Sequence, residues 1–169
     1  KHHLAKYKSQ SVRPTSATIN DNGNLLIGLE DGSVIEKPLK AKNEETIHSG
    51  DGMVTAVDYR LVSGGSKGAL AITSLDGVLS IYTGGNLTKQ IRSITKGYLC
   101  CKWRPKHPSE ILIGRSDGNL VLESTEPQSR PKTIDTKDTP CCAEFKADGS
   151  VLCVGGVDGS LALVRIPQE

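Results

Sequence analysis

The sequence predicts an all-β fold, a β-propeller of four-stranded antiparallel blades with about four blades present, and three observations predict it. An Asp-Gly pair sits between short apolar runs four times: Glu30-Asp31-Gly32, Leu75-Asp76-Gly77, Ser116-Asp117-Gly118 and Val157-Asp158-Gly159. The aspartates are spaced 45, 41 and 41 residues apart, with further strand-like sequence between the copies. Finally, one bulky position recurs in register through all the repeats. Asp-Gly between alternating apolar segments marks a hairpin, because glycine takes the positive φ that a type I′ turn demands. A hairpin returning at this period, with extra strands between its copies, is the mark of propeller blades.

Each repeat resolves into strands a, b and c. In the first, residues 16–19 alternate, Asn22-Gly23 turns, 25–28 run apolar, Asp31-Gly32 turns again and Val34-Ile35 follows. The second has 54–59, a longer connection over 63–67, then 70–72, Asp76-Gly77 and 78–82. The third has 99–103, a turn over 105–109, then 111–114, Asp117-Gly118 and 120–122. The fourth is the cleanest, with 141–145, a turn over 146–150, then 151–156, Asp158-Gly159 and 160–166. Polar connections then lead to a strand d near 45–48, 88–94 and 131–136, but the fourth repeat has none. Residues 3–8, ahead of the first repeat, read as an orphan d strand able to close a blade. The expected blades are about 12–49, 50–95, 96–137 and 138–169.

Ile19, Tyr59, Trp103 and Phe145 share the position at the end of strand a. Ala17, Val57, Cys101 and Ala143 share the position two residues earlier. A large and a small residue thus fall on one strand face, as sheets packed radially against one another require. Of six aromatic residues in the chain, three occupy this one position.

The 169 residues suit one domain with enough chain to bury a core. A net charge of +2 with both signs interspersed offers no basic arm for nucleic acid and no polybasic membrane anchor. No apolar stretch is long enough for a transmembrane helix, and no signal peptide is visible, so no membrane partner is expected. The sequence begins with Lys1, which suits an excised segment or a processed chain. Five cysteines, two adjacent pairs (Cys100-Cys101 and Cys141-Cys142) and Cys153, read as free thiols of a reducing compartment. The expected location is therefore intracellular and cytoplasmic, with the nucleus open.

Catalytic and ligand-binding constellations are missing, so no enzyme, cofactor or metal is expected. Ser63-Gly64-Gly65-Ser66-Lys67-Gly68 lacks phosphate-loop spacing and opens no helix. His2, His3, His48 and His107 are not spaced as ligands, and the cysteines lack the Cys-x-x-Cys pattern of zinc sites. Asn86-Leu87-Thr88 matches a glycosylation sequon, which the free cysteines argue against.

The offset strand order, four strands per repeat and the turn aspartate before glycine resemble a WD-repeat (WD40-like) β-propeller along essentially the whole chain. The match is degenerate. Ile35-Glu36, Ile81-Tyr82, Leu122-Glu123 and Val164-Arg165 stand where Trp-Asp would be, and His48-Ser49-Gly50 is the nearest relic of the Gly-His pair. Without their histidine partner, Asp31, Asp76, Asp117 and Asp158 are expected to cap turns. A propeller of another type shares the repeat period. Four repeats fall short of the family's usual ring. The chain is therefore part of a larger propeller, a small ring closed alone, or an arc completed by a second copy or another chain. A larger ring completed by other polypeptide is favoured, since an open arc leaves sheet faces unburied.

The resemblance implies a non-catalytic protein–protein interaction scaffold within a larger assembly, with other proteins as partners. Its d–a and b–c loops would share the binding face. The candidates there are Arg13, Glu30, Asp51, Met53, Leu75, Lys96, Tyr98, Arg115, Lys137, Asp138 and Val157. The alternative reading is RNA or DNA binding through a basic patch of Arg104, Lys106, His107 and Arg115 beside Trp103.

Overall fold

A computed structural model describes residues 11–40, 43–61 and 68–167. The expected strand over 3–8, His2 and the connection over 63–67 lie outside these residues. The described residues form fifteen strands in four antiparallel sheets. Blade 1 comprises β1 (Pro14–Ile19), β2 (Leu25–Leu29), β3 (Val34–Lys37) and β4 (Glu45–His48). Blade 2 comprises β5 (Val54–Arg60), β6 (Ala69–Ser74), β7 (Val78–Thr83) and β8 (Asn86–Arg92). Blade 3 comprises β9 (Tyr98–Trp103), β10 (Glu110–Arg115), β11 (Asn119–Ser124) and β12 (Lys132–Asp135). Blade 4 has three strands, β13 (Pro140–Phe145), β14 (Val151–Gly156) and β15 (Leu161–Arg165). In every blade the strands pair in sequence order. No helix among the described residues is long and apolar enough to cross a membrane.

The Asp-Gly turns differ from the type I′ expectation. Only the glycine of each pair has positive φ: +88° at Gly32, +80° at Gly77, +86° at Gly118 and +87° at Gly159. Each glycine N–H returns to the carbonyl three residues back, as Gly77 does to Ser74 at 3.0 Å and Gly118 to Arg115 at 3.2 Å. That is a type I turn followed by a left-handed residue, the three-residue hairpin loop, in which aspartate keeps its ordinary negative φ.

The space around these glycines differs. A Cβ on Gly77 would run into the Lys96 carbonyl, whereas one on Gly159 would meet nothing within 4 Å. Gly159→Ala should therefore cost about 1 kcal/mol of backbone strain alone, and Gly77→Ala about 3 kcal/mol through strain plus displacement of the neighbouring loop. Urea unfolding of the two variants checks the difference.

Each inner strand carries a bulge near its start. Its pairing skips one residue: Thr15 in β1, Thr55 in β5, Leu99 in β9 and Cys141 in β13. A bulge adds local twist and bends the strand away from strict alternation. Cys141 stands at the bulge of β13 and is exposed, and Cys142, the next residue, is exposed as well.

The core lies between the blades. Leu26 and Val34 of blade 1 meet Val54, Val57, Leu70 and Ile72 of blade 2. Ala71, Leu79 and Ile81 of blade 2 meet Cys101, Trp103, Ile111 and Ile113 of blade 3. Leu112, Leu120 and Leu122 of blade 3 meet Phe145, Leu152 and Val154 of blade 4. The inner strands follow one another, β1 on β5, β5 on β9 and β9 on β13, while β13 and β1 form no comparably extensive junction.

Candidate functional site

One side of the blades, where strand d hands over to strand a and b turns into c, is built by backbone bonds that repeat from blade to blade. The first turn residue donates its N–H to the preceding loop: Glu30 to Arg13 O at 3.0 Å, Leu75 to Met53 O at 2.9 Å, Ser116 to Gly97 O and Val157 to Thr139 O, each at 3.0 Å. The turn glycines then accept from the outgoing strand: Gly32 O from Gly50 N–H at 3.1 Å, Gly77 O from Ser93 at 2.8 Å and Gly118 O from Thr136 at 3.1 Å. Every Asp-Gly turn thus joins the loop before its blade's first strand, and in three blades the end of strand d as well.

The aspartates stabilise the turns themselves. Asp31 Oδ1 accepts from the Ser33 hydroxyl at 2.6 Å and its N–H at 3.0 Å, bonds that hold the carboxyl below the usual range. Asp158 accepts from Ser160 N–H at 2.6 Å and Asp117 from Asn119 N–H at 3.3 Å. Asp76 takes the Ser74 hydroxyl. His48 turns instead to Tyr82, its Nδ1 lying 2.9 Å from the phenol oxygen with the rings edge to face. Partial burial pushes its pKa down.

Most of the expected loop residues gather on this side. Arg13 and Glu30 form an exposed bidentate pair, both bonds 2.8 Å. Asp51 is exposed and Met53 half-buried, one turn away from exposed Leu75. Lys96 is half-buried in the loop that packs on the Leu75–Gly77 turn. Arg115 is tied to Asp117. Exposed Lys137 adopts a left-handed φ of +62°, its N–H on Asp135 Oδ1 at 2.9 Å. Asp138 accepts from Thr139 N–H and Ser160 Oγ, next to exposed Val157. Tyr98 is a correction: it opens β9 and is buried in the core between blades 2 and 3.

One residue of this surface was not anticipated from the sequence. Ile94, assigned there to a strand over 88–94, is 97% exposed. β8 ends at Arg92, the partner of Val78, and β7 has no further residue to pair with Ile94. The side chain therefore stands in the loop that packs on the Leu75–Gly77 turn.

The basic patch does not form. Arg104 is only 3% exposed, and its guanidinium donates to Gly149 O and Pro167 O, both at 2.9 Å, and to Glu110. Trp103 is buried, with the Arg60 guanidinium 4.2 Å over its ring. Lys106 and His107 lie in the β9–β10 turn, and Arg115 lies at the far end of β10. Strand length separates them.

Between blades 1 and 2, at the end opposite the loop face, a cavity of about 520 Å³ is lined by Asp21, Glu36, Glu45, Tyr59 and Tyr82 among others. Glu36 is already engaged by Asn20 and Asn24, both at 2.7 Å. Burial, with Asp21 adding, pushes the Tyr59 phenol up to about 12. Among the described residues, no group of three or more His, Cys, Asp or Glu is placed to hold a metal ion.

Burial also pushes the Cys100 thiol up to about 11, against about 8.5 in an unfolded chain. For an acid raised in the fold, stability is fully present below the unfolded value and is lost as pH rises through the folded one. Thermal melts should therefore fall between pH 8.5 and about 11, and Cys100→Ala should flatten part of that decline.

No protein-family model and no curated protein matches the chain. Among solved structures, it is similar to the β-propeller domain of Cps50 (Swd1) from Myceliophteria thermophila, at TM-score 0.77 and 15% identity over 95% of this chain and 54% of that one. It is also similar to the computationally designed Ika4 protein, at TM-score 0.76 and 13% identity over 99% of both chains. These likenesses establish a four-blade β-propeller fold, and the chain spans about half the length of the Cps50 domain.

Proposed function

We propose that this chain is a non-catalytic protein-interaction scaffold of WD-repeat type, acting without a cofactor in an intracellular assembly whose other polypeptide completes the ring of blades. The observation that carries this reading is the loop face. Repeated backbone bonds fix four turns and their loops in place, and that rigid frame presents exposed Leu75, Ile94 and Val157. Apolar anchors held on a preorganised surface among polar and charged neighbours are what protein interfaces use, because little ordering entropy remains to be lost on binding. Five free thiols support a reducing compartment.

Crosslinking of the tagged chain in cells, read by mass spectrometry, tests the proposal. Partner crosslinks are expected at Lys96 and Lys137 on the loop face. The double variant Leu75→Asp/Ile94→Asp should lower partner recovery at least tenfold, the scale of lost anchor residues. Its melting point should stay within a few degrees, as for exposed substitutions. Crosslinks confined to Lys106 at the opposite end would overturn the choice of face. Salt-dependent binding of RNA or DNA would restore the nucleic-acid reading.

A further inference from the structure

Three internal junctions share one construction. The forward face of a blade receives the inner strand of the next, on which a small and a large residue alternate: Val57 and Tyr59, Cys101 and Trp103, Ala143 and Phe145. The forward face of blade 3 bears Cys100, Lys102, Leu112, Leu120 and Leu122. Pairing register assigns Cys142, Glu144, Cys153, Leu161 and Leu163 to the same places in blade 4. Leu120 and Leu122 are 0% and 4% exposed, but Leu161 and Leu163 are each 73% exposed. Cys100 is buried and Cys142 exposed. A face built like a junction therefore stands open.

At the other end of the arc, Ala17 and Ile19 hold the small and large positions of β1, and both are exposed. On that same face of the blade Ile27, Leu29 and Ile35 form a buried cluster, so the exposed surface at this end is β1 itself. This end is the shape that forward faces receive.

A charge ladder crosses the inner strands and also stops at blade 4. Lys102 Nζ lies 3.3 Å from Asp58 and 3.0 Å from Glu144, and Asp58 also accepts Trp103 N–H at 2.8 Å. Among the described residues, no backbone N–H donates to Glu144. In β1 the positions equivalent to Lys102 and Trp103 are Thr18 and Ile19.

We propose that blade 4 docks on blade 1 of a second copy, two chains joining head to tail in one eight-blade ring. This rests on the reading that the ring is completed by other polypeptide, and it names that polypeptide. The two open ends fit each other rather than themselves, since like faces would set Glu144 against Glu144. A chain matching 54% of the Cps50 domain supplies, in two copies, enough blades for one ring. Two head-to-tail contacts close it and leave no sticky end.

Sedimentation and light scattering across a micromolar dilution series test this. The expected species is a dimer, twice 18.0 kDa. Leu163→Arg and Ile19→Arg should each weaken it at least tenfold, because each removes an apolar anchor from one of the two faces. Thr18→Lys should tighten it several-fold by seating an ammonium between Asp58 and Glu144 of the second copy. A monomer at every concentration, a dimer indifferent to Ile19→Arg, or growth beyond two copies would overturn the proposal, with circular dichroism confirming that each variant is folded. A monomer whose other partners are still lost with Leu75→Asp/Ile94→Asp would sink the ring while leaving the scaffold reading standing.

Discussion

Arg104→Ala is expected to destabilise the chain by about 3–5 kcal/mol, the usual result of breaking a buried charge pair from one side. The guanidinium joins the β9–β10 turn, through Glu110, to the Gly149 turn of blade 4 and to the carbonyl of Pro167. Truncation leaves a carboxylate and two carbonyls without their donor in a place with little access to water. Arg104→Lys should recover only part of the loss, because one ammonium cannot span the three directions that a planar fork reaches. Lys106→Ala, exposed in the same turn, should change stability by no more than about 0.5 kcal/mol. Guanidinium unfolding of the three variants gives the comparison. A nucleic-acid surface would give the reverse pattern, with both residues neutral for stability and both needed for binding.

Trp103→Ala should cost about 3–5 kcal/mol, as large aromatic truncations in packed cores do. The indole fills the junction between blades 2 and 3 with Ala71, Ile81 and Ile111 around it. It also gives up the stacked Arg60, worth about 0.5–2 kcal/mol. Trp103→Phe should cost less than about 1.5 kcal/mol, since the buried indole N–H has no partner among the described residues. Ile19→Ala, at the corresponding position of blade 1, should cost about 1 kcal/mol or less because that side chain is exposed. Circular dichroism with urea is the suitable measure, since the substitution removes the chain's one tryptophan. Equal costs for Trp103→Ala and Ile19→Ala would mean that blade 1 is covered as blade 3 is.

Pattern along the chain and packing between blades part company at these two positions. The bulky position at the end of each inner strand was legible, because strand alternation and the 40-odd-residue period put Ile19, Tyr59, Trp103 and Phe145 in register. Whether each is buried was not, because burial depends on the neighbouring blade and not on the strand that carries the residue. Arg104 shows the converse. Arg104-Pro105-Lys106-His107 reads as a basic turn, and only Gly149 and Pro167, distant in sequence, convert the arginine into a structural cation. Tyr98 and Ile94 exchange roles for the same reason. The register of β7 with β8 ends before Ile94 and leaves it outside, while β9 begins at Tyr98 and carries it in.

The turn aspartates follow mainly local chemistry. At Asp31, Asp117 and Asp158 the carboxylate closes an Asx turn on the N–H two residues later, while Asp76 takes the Ser74 hydroxyl, and the glycine after each supplies the left-handed step. The sequence by itself therefore determined strand order, blade count and the position of the turns, since each rests on interactions within a few residues. Only the tertiary structure decided which turn glycines lie against a neighbouring loop, which cation is buried and which face stays open. Those outcomes depend on groups far apart in the chain that meet only when one sheet packs on the next.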